Sequence, residues 1–404
     1  MIEDPNINSD RIGPRTLKVQ TRHGESFTTP TKPITHKELR SRADVPHLKG
    51  VTPGDISILP MYIMKDVFKE YRRCNGTVNE IYEKISMLSE SVSFMYNLPT
   101  LQIDPIKPDS PEAIVTLIKQ VGIPTLSGVC MPLLETDYEG FRRTLSRWST
   151  MAEDHGKDCI PQIAMDDPLP VFEKKLKLIE ELSKTGQIKM VDFVYRDMSE
   201  NPLQYGTLLS MRSKIEAIMH CSAVPSLGNK LCKYMNGSSR YDFTMFGFDT
   251  TSTERGHPSY FPSKIETGGK ELISSYKWSN VNIETNINGN YWEAMRHEHL
   301  FCNCPVCKGL SQDEIIGRFA YNVEGDIDPQ SMRTVSVLHD HYASSKEMSV
   351  IRRAVNQREI KEYSEGVENN RSDFQKTVKI GAVRKFPSNK KSSGKGVKPL
   401  DSFL

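Results

Sequence analysis

The chain has 404 residues, of which 37% are hydrophobic and 26% charged, with a formal charge of +2. This excludes wholesale disorder and suits one large α/β barrel or two ordinary domains. The longest mostly apolar run, Ile56 to Met64, is about half a bilayer span and is broken by Pro60, so no transmembrane helix is expected.

The opening MIEDPNINSD is polar and acidic, without the basic and apolar regions of a secretory signal. Thr16 to Thr21 and Ser26 to Thr29 flank Gly24 and read as a hairpin closed by Pro30. Strand-like and helical patterns then alternate. Ile56 to Leu59 reads as strand, Val78 to Leu88 as helix, Thr100 to Ile103 as strand, and Ser110-Pro111-Glu112 starts a helix through Val121. Pro124 to Val129 suits a buried strand, Tyr138 to about His155 a helix, and Cys159 to Met165 a strand. Val171 to Leu182 reads as helix, Lys189 to Tyr195 as strand, Leu208 to Glu216 as mostly helix, and Ala217 to Ser222 as a short strand. The apolar stretch Phe243 to Phe248 follows. Repeated strand-then-helix units favour a parallel α/β architecture, and their number favours a (β/α)8 TIM barrel over an open sheet. The expected organisation is a flexible N-terminus over 1–12, a barrel body over 13–265, a metal-bearing insertion with a long C-terminal helix over 266–366, and a flexible tail over 367–404. The long helix is expected from Val335 to about Tyr363.

Three of the eight cysteines, Cys302, Cys304 and Cys307, form C-x-C-x-x-C around Pro305. Thiols bunched in this way point to a metal in a reducing compartment rather than to a disulfide framework. Three thiolates and one imidazole make a closed, tetrahedral zinc shell. His297, His299, His339 and His341 are the candidate fourth ligands. With four protein ligands the ion has no corner open to substrate, so its role is structural.

Three stretches together resemble the tRNA-guanine transglycosylases and their DNA-modifying relatives. TLKVQTRHGESFTTPTKP is similar to the family's first hairpin. MFGFDTTST resembles the strand that ends in its nucleophilic aspartate, and FCNCPVCKGLS followed by LHDHYASSKEMSVIR resembles its zinc motif. Counting back from Met348 makes His339 the fourth ligand and leaves His341 outside the shell. The resemblance spans roughly residues 13 to 360. It implies a (β/α)8 barrel with one structural Zn2+ that exchanges guanine in nucleic acid for a free 7-deazaguanine. Asp249 would be the nucleophile, at the C-terminal end of a barrel strand where barrel catalysts sit. Its carboxylate would attack C1′ of the sugar, guanine would leave, and the incoming base would displace the enzyme from a covalent aspartyl-sugar intermediate with net retention.

The chain also departs from the family's pattern. No D-S-G sequence supplies the second carboxylate, and Asp104, after TLQI and before Pro105, is the best substitute, with a structural role at a strand end as the alternative. The base-binding stretches read PQIAMDD and VYRDM, which makes Gln162, Asp166, Arg196 and Asp197 the candidate pocket groups. Cys130 falls where the family has an aspartate that reads the base. These departures resemble the divergent DNA-acting (DpdA-type) branch, found in bacterial modification systems and phages. They imply duplex DNA as partner, 7-cyano-7-deazaguanine or a relative as incoming base, and a flipped-out target guanine in the cytoplasm of a bacterial or phage-infected cell. A tRNA substrate, and a zinc-containing nucleic-acid-binding barrel without catalysis, are the alternatives. Relatives pair through the metal-bearing region, so the resemblance extends to a homodimer.

The tail carries six basic and no acidic residues between Arg384 and Lys398, leaving 47 basic against 51 acidic residues elsewhere. It reads as a solvated arm or as a tether that seeks phosphate. The terminal Pro399-Leu400-Asp401-Ser402-Phe403-Leu404 reads as an incidental apolar end or as a sliding-clamp peptide.

Overall fold

A computed structural model describes residues 3–7, 14–20, 26–35, 38, 56–58, 96–98, 107–108, 126–195, 201–223, 244, 247–253, 277–280, 283–286, 304–309, 311 and 329–363. Among them the chain is a mixed α/β protein with parallel sheets.

β1 (Glu3–Ile7), β2 (Arg15–Gln20) and β3 (Ser26–Thr28) form an antiparallel sheet in that order. The expected hairpin is β2 and β3, with Lys18 opposite Thr28 and Gln20 opposite Ser26. Residues 3–7, expected to be flexible, instead add an edge strand, with Ile7 opposite Arg15. An edge position tolerates Pro5, because the N–H it lacks is not needed by a further neighbour.

β4 (Ile34–Thr35), β5 (Ile56–Ile58) and β6 (Tyr96–Leu98) form a second, parallel sheet. β5 matches the expected strand, whereas β6 lies just upstream of the expected Thr100 to Ile103. The helices expected over 78–88 and 110–121 lie outside the described residues. β7 (Gly128–Cys130) pairs in parallel with β8 (Asp158–Ile160).

Between them runs α1 (Tyr138–Asp154), within one residue of the expected span. Phe141, Leu145, Trp148 and Ala152 recur at helical spacing and are buried, which gives the helix its inward face. Asp137 caps it, its carboxylate accepting from the Gly140 N–H at 2.8 Å. Gly140 is required by space, since a Cβ there would meet Thr136 Oγ1 at 1.9 Å. Gly156, at φ 68°, turns the chain out of the helix.

The expected strand Cys159 to Met165 is two strands, β8 and β9 (Gln162–Ala164), broken at Pro161. Proline has no N–H to give to a ladder, and the segment changes partner there, from β7 on one side to the next strand on the other. α2 (Leu169–Lys184) follows and buries Phe172, Leu176 and Ile179. β10 (Met190–Tyr195) comes next. α3 (Pro202–Met211) begins and ends earlier than the Leu208 to Glu216 read from apolar spacing, because Pro202 suits a first helical turn. β11 (Ile218–Ala223) and β12 (Thr250–Thr253) complete a four-stranded parallel sheet ordered β12-β11-β10-β9.

Ile163, Val191, Phe193, Met219 and Cys221 on one face of this sheet join the buried faces of α1, α2 and α3 in the largest apolar cluster. Met190, Ile218, Ile160 and Cys130 pack instead with Leu17, Val19 and Phe27 of the hairpin. Fully burying one such aliphatic or aromatic side chain stabilises by about 1.5–3 kcal/mol. An isolated parallel bridge joins Thr31, just before β4, to Thr250 of β12.

The expected insertion contributes an antiparallel pair, β13 (Lys277–Asn280) and β14 (Ile283–Asn286). The long helix α4 (Pro329–Gln357) starts six residues before the expected Val335 and ends before Arg358, which takes a left-handed φ of 64°. Its residues reach back to the hairpin, with Arg352 Nη1 donating to Pro30 O at 2.5 Å and Asn356 Oδ1 accepting from Thr16 Oγ1 at 3.2 Å.

Candidate metal centre and the setting of Asp249

Residues 304–309 form a tight turn, with the Cys307 and Lys308 N–H groups donating to Cys304 O at 3.0 and 2.8 Å. The turn brings both sulfurs to one side, where α4 delivers His339 from 32 residues further on. His339 Nδ1 lies 3.3 Å from Cys304 Sγ and 3.2 Å from Cys307 Sγ. All three side chains are buried, and their ligand atoms lie within 4.8 Å of one another. Around a tetrahedral zinc, bond lengths of about 2.0–2.3 Å put ligand atoms roughly 3.6 Å apart. The observed separations are a few tenths of an ångström shorter, so the donor set fits a zinc-sized ion with little movement. Nδ1 is the nitrogen that would bind it.

His341 is not part of this group. Two residues along a helix turn a side chain by about 200°. His341 instead stands 3.6 Å from Glu38 Oε2 and edge-on to Tyr342. Glu38, after β4, in turn pairs with Lys32, before β4, at 2.9 Å, so buried polar contacts join the residues flanking β4 to α4. Cys302, His297 and His299 lie outside the described residues.

Asp249 is expected at the C-terminal end of a strand, and the structure corrects that position. The Gly247 N–H donates to Thr244 O at 3.0 Å, and Gly247 takes φ 96°, so the chain turns at Thr244 to Gly247 and enters β12 only at Thr250. Asp249 therefore sits before the N-terminal end of β12, the end that in parallel α/β folds serves stability rather than chemistry. The residue is 1% exposed and its carboxylate is fully engaged. Arg15 Nε donates to Oδ1 at 3.1 Å and Arg15 Nη2 to Oδ2 at 2.7 Å. Thr29 Oγ1 adds a bond to Oδ1 at 3.3 Å, and the Met219 N–H one to Oδ2 at 2.8 Å. Arg15 is itself 2% exposed and also donates to the carbonyls of Arg212, Ile215 and Ala217. Two-pronged charge-assisted pairing of this kind is strong and directional. In this arrangement Asp249 is an ion-pair partner that latches the hairpin to β11 and β12.

Among the pocket candidates, Gln162 is buried at the start of β9, and its Nε2 donates to Asp192 Oδ2 at 2.8 Å. Asp166 is exposed in the turn after β9. Its neighbour Asp167 is tied to the buried Lys175 at 2.8 Å, which fixes that turn against α2. Cys130 sits buried in the apolar cluster beneath the hairpin, its Sγ donating to Met131 O at 3.7 Å. Asp104, Arg196 and Asp197 lie outside the described residues.

The sequence reading missed Asp192. Ser222 Oγ donates to its Oδ1 at 2.6 Å, and burial pushes its pKa up to about 7 although the bonds from Ser222 and Gln162 pull the other way. Beside it, His220 Nδ1 lies 2.6 Å from Thr250 Oγ1, and burial, helped by Lys32, lowers its pKa to about 3. The available signal was an ionisable residue inside each of two apolar strands, MVDFVY and IMHCSA.

No family model and no curated protein matches the chain. Among the described residues no helix is long and apolar enough to cross a membrane.

Proposed function

We propose that the chain is a base-exchange transglycosylase that replaces guanine in DNA by a 7-deazaguanine such as 7-cyano-7-deazaguanine, on a (β/α)8 barrel with one structural zinc. The observation that carries this reading is the convergence of Cys304, Cys307 and His339 from the two segments of the zinc motif. Cys302 completes the proposed shell. The parallel pairing within the β4–β6, β7–β8 and β9–β12 sheets, and the bridge from Thr31, just before β4, to Thr250 of β12, support barrel closure. Lysines of the insertion and the basic tail would meet phosphate, and the terminal apolar residues a replication clamp.

In the proposed reaction an Asp249 oxygen bonds to C1′ as the bond to guanine N9 breaks, and guanine leaves with that electron pair and takes up a proton. Arg15 must first release the carboxylate, because a carboxylate saturated by four donors is a poor nucleophile. This same pairing favours a second reading, a zinc-stabilised nucleic-acid-binding protein without catalysis, in which Asp249 only latches the sheet.

One assay separates them. Labelled 7-cyano-7-deazaguanine is incubated with the full chain and duplex DNA or tRNA, using wild type and Asp249→Asn. Label entering DNA only with Asp249 intact supports the proposal, and label in tRNA alone transfers the activity to tRNA. Binding without incorporation leaves the second reading, and incorporation by Asp249→Asn removes Asp249 as nucleophile.

A further inference from the structure

The two sulfurs of the candidate metal centre are also placed to bond to each other. Cys304 and Cys307 bound a turn in which the Cys307 N–H donates to Cys304 O at 3.0 Å. A turn closed in this way holds its end Cα atoms within about 7 Å, and disulfides span about 4.4–6.8 Å between Cα atoms. The sulfurs lie within 4.8 Å of one another, on the same side as His339 Nδ1. Side-chain rotation, without rearrangement of the turn, therefore brings them into bonding reach. The turn is shallow, since Pro305 is half-buried and Lys308 and Gly309 directly after it are exposed.

The other described thiols are placed differently. Cys130, Cys159 and Cys221 are buried in strands among apolar side chains. Burial pushes the Cys159 thiol up to about 12 and raises that of Cys221 well above its ordinary value. Thiols in such surroundings are inert, whereas a sulfur that ligates a metal does so as the thiolate, the form that peroxides oxidise. We propose that Cys304 and Cys307 are a redox switch, in which hydrogen peroxide converts the pair from metal ligands to a disulfide and the ion is released. One thiolate attacks a peroxide oxygen, and the O–O bond breaks to give a sulfenic acid and hydroxide. The second thiolate displaces hydroxide from that sulfenic acid, and the S–S bond forms. The two sulfurs give up two electrons, and peroxide is reduced to two hydroxides. Of the three described ligands only His339 then remains, too few to hold zinc. The inference rests on the metal reading and is independent of base exchange.

The test treats the zinc-loaded full chain with hydrogen peroxide and follows zinc release with a chromogenic chelator. The cysteines are then mapped by mass spectrometry, with iodoacetamide added under denaturing conditions before reduction and N-ethylmaleimide after it. N-ethylmaleimide is expected on Cys304 and Cys307 together, and iodoacetamide on Cys130, Cys159 and Cys221. Zinc affinity should fall by more than ~100-fold, since losing even an outer-shell partner costs about 10–100-fold. A thiol reductant with added zinc should restore the metal content. Retention of zinc with both thiols still reduced would overturn the switch, as would a disulfide joining Cys302 to either sulfur. Oxidation of the strand thiols at the same dose would also overturn it, because unfolding would then be the cause, and so would zinc binding that reduction does not restore. A reduced chain that takes up no zinc overturns the metal reading itself and the switch with it, whereas a zinc-loaded chain that forms no disulfide overturns the switch alone.

Discussion

The Asp249 cluster and the Cys304–Cys307–His339 cluster both bury polar chemistry, but in opposite states of completion. Around Asp249 each carboxylate oxygen meets donors supplied by the chain, and the guanidinium that balances its charge is equally enclosed. Around His339, two sulfurs and a ring nitrogen converge on one another within a few ångströms. Groups that all offer lone pairs have little reason to converge unless a cation stands between them. The first cluster needs nothing from solution, and the second is close enough to hold an ion.

The contrast is sharpest under metal removal. A strong chelator, or His339→Ala, should destabilise the metal-bearing region by an amount on the order of 10 kcal/mol, the scale of structural zinc. The check is a melting curve paired with metal analysis. Full metal content in His339→Ala, or an unchanged melt in metal-free protein, would break the comparison. The Asp249 cluster should answer to a different operation. Asp249→Ala leaves a buried guanidinium unpaired and should cost about 3–5 kcal/mol, whereas replacing both partners, Arg15→Met with Asp249→Leu, should recover part of that loss. Urea unfolding of the two single variants and the double variant measures the coupling, and chelator should not change it.

Asp192 and His220 sharpen the comparison through pH. Burial raises the folded pKa of Asp192 to about 7, so its contribution is fully present below the ordinary carboxylate range and is lost as pH rises through 7. The folded pKa of His220 is lowered to about 3, so its contribution is present above the ordinary imidazole value of about 6.5 and is lost as pH falls toward 3. Between about pH 4 and 6.5 the two slopes oppose each other. Urea midpoints followed across pH should therefore fall less steeply from pH 5 to 8 in Asp192→Asn than in wild type, by an amount of order 1 kcal/mol or more. Identical profiles would remove Asp192 from the account. The smallest effect belongs to the exposed pair Arg142–Glu139, where Arg142→Ala should change stability by no more than about 0.5 kcal/mol.

Legibility in the sequence followed the range of the forces involved. α1 was readable to within a residue because Phe141, Leu145 and Trp148 repeat on one face and Gly156 ends it. The metal turn was readable because its two described cysteines are three residues apart and Pro305 lies between them. The break at Pro161 was written in one residue, yet its effect, a change of strand partner, depends on β7 and β10 and is not local. α3 was displaced because its apolar spacing continues past Met211 while its start is set by Pro202. The place of Asp249 relative to its strand was misread for a related reason. Its partner Arg15 lies 234 positions away, and the turn at Gly247 decides on which side of the aspartate the strand begins. Asp192 went unnoticed because an isolated acidic residue in a strand acquires meaning only from the neighbours that the ladder brings beside it.

The separation between Arg15 and its counter-ion also bears on the order in which the molecule is made. At 5–20 residues per second, a ribosome needs roughly 10 to 50 s after Arg15 emerges before Asp249 exists to receive it. During that interval the guanidinium remains hydrated, and the hairpin has neither its fastening to the sheet nor its contact with α4. The first-made segment is thus among the last to be secured, and shortening the nascent chain anywhere before β12 would leave it without a dock.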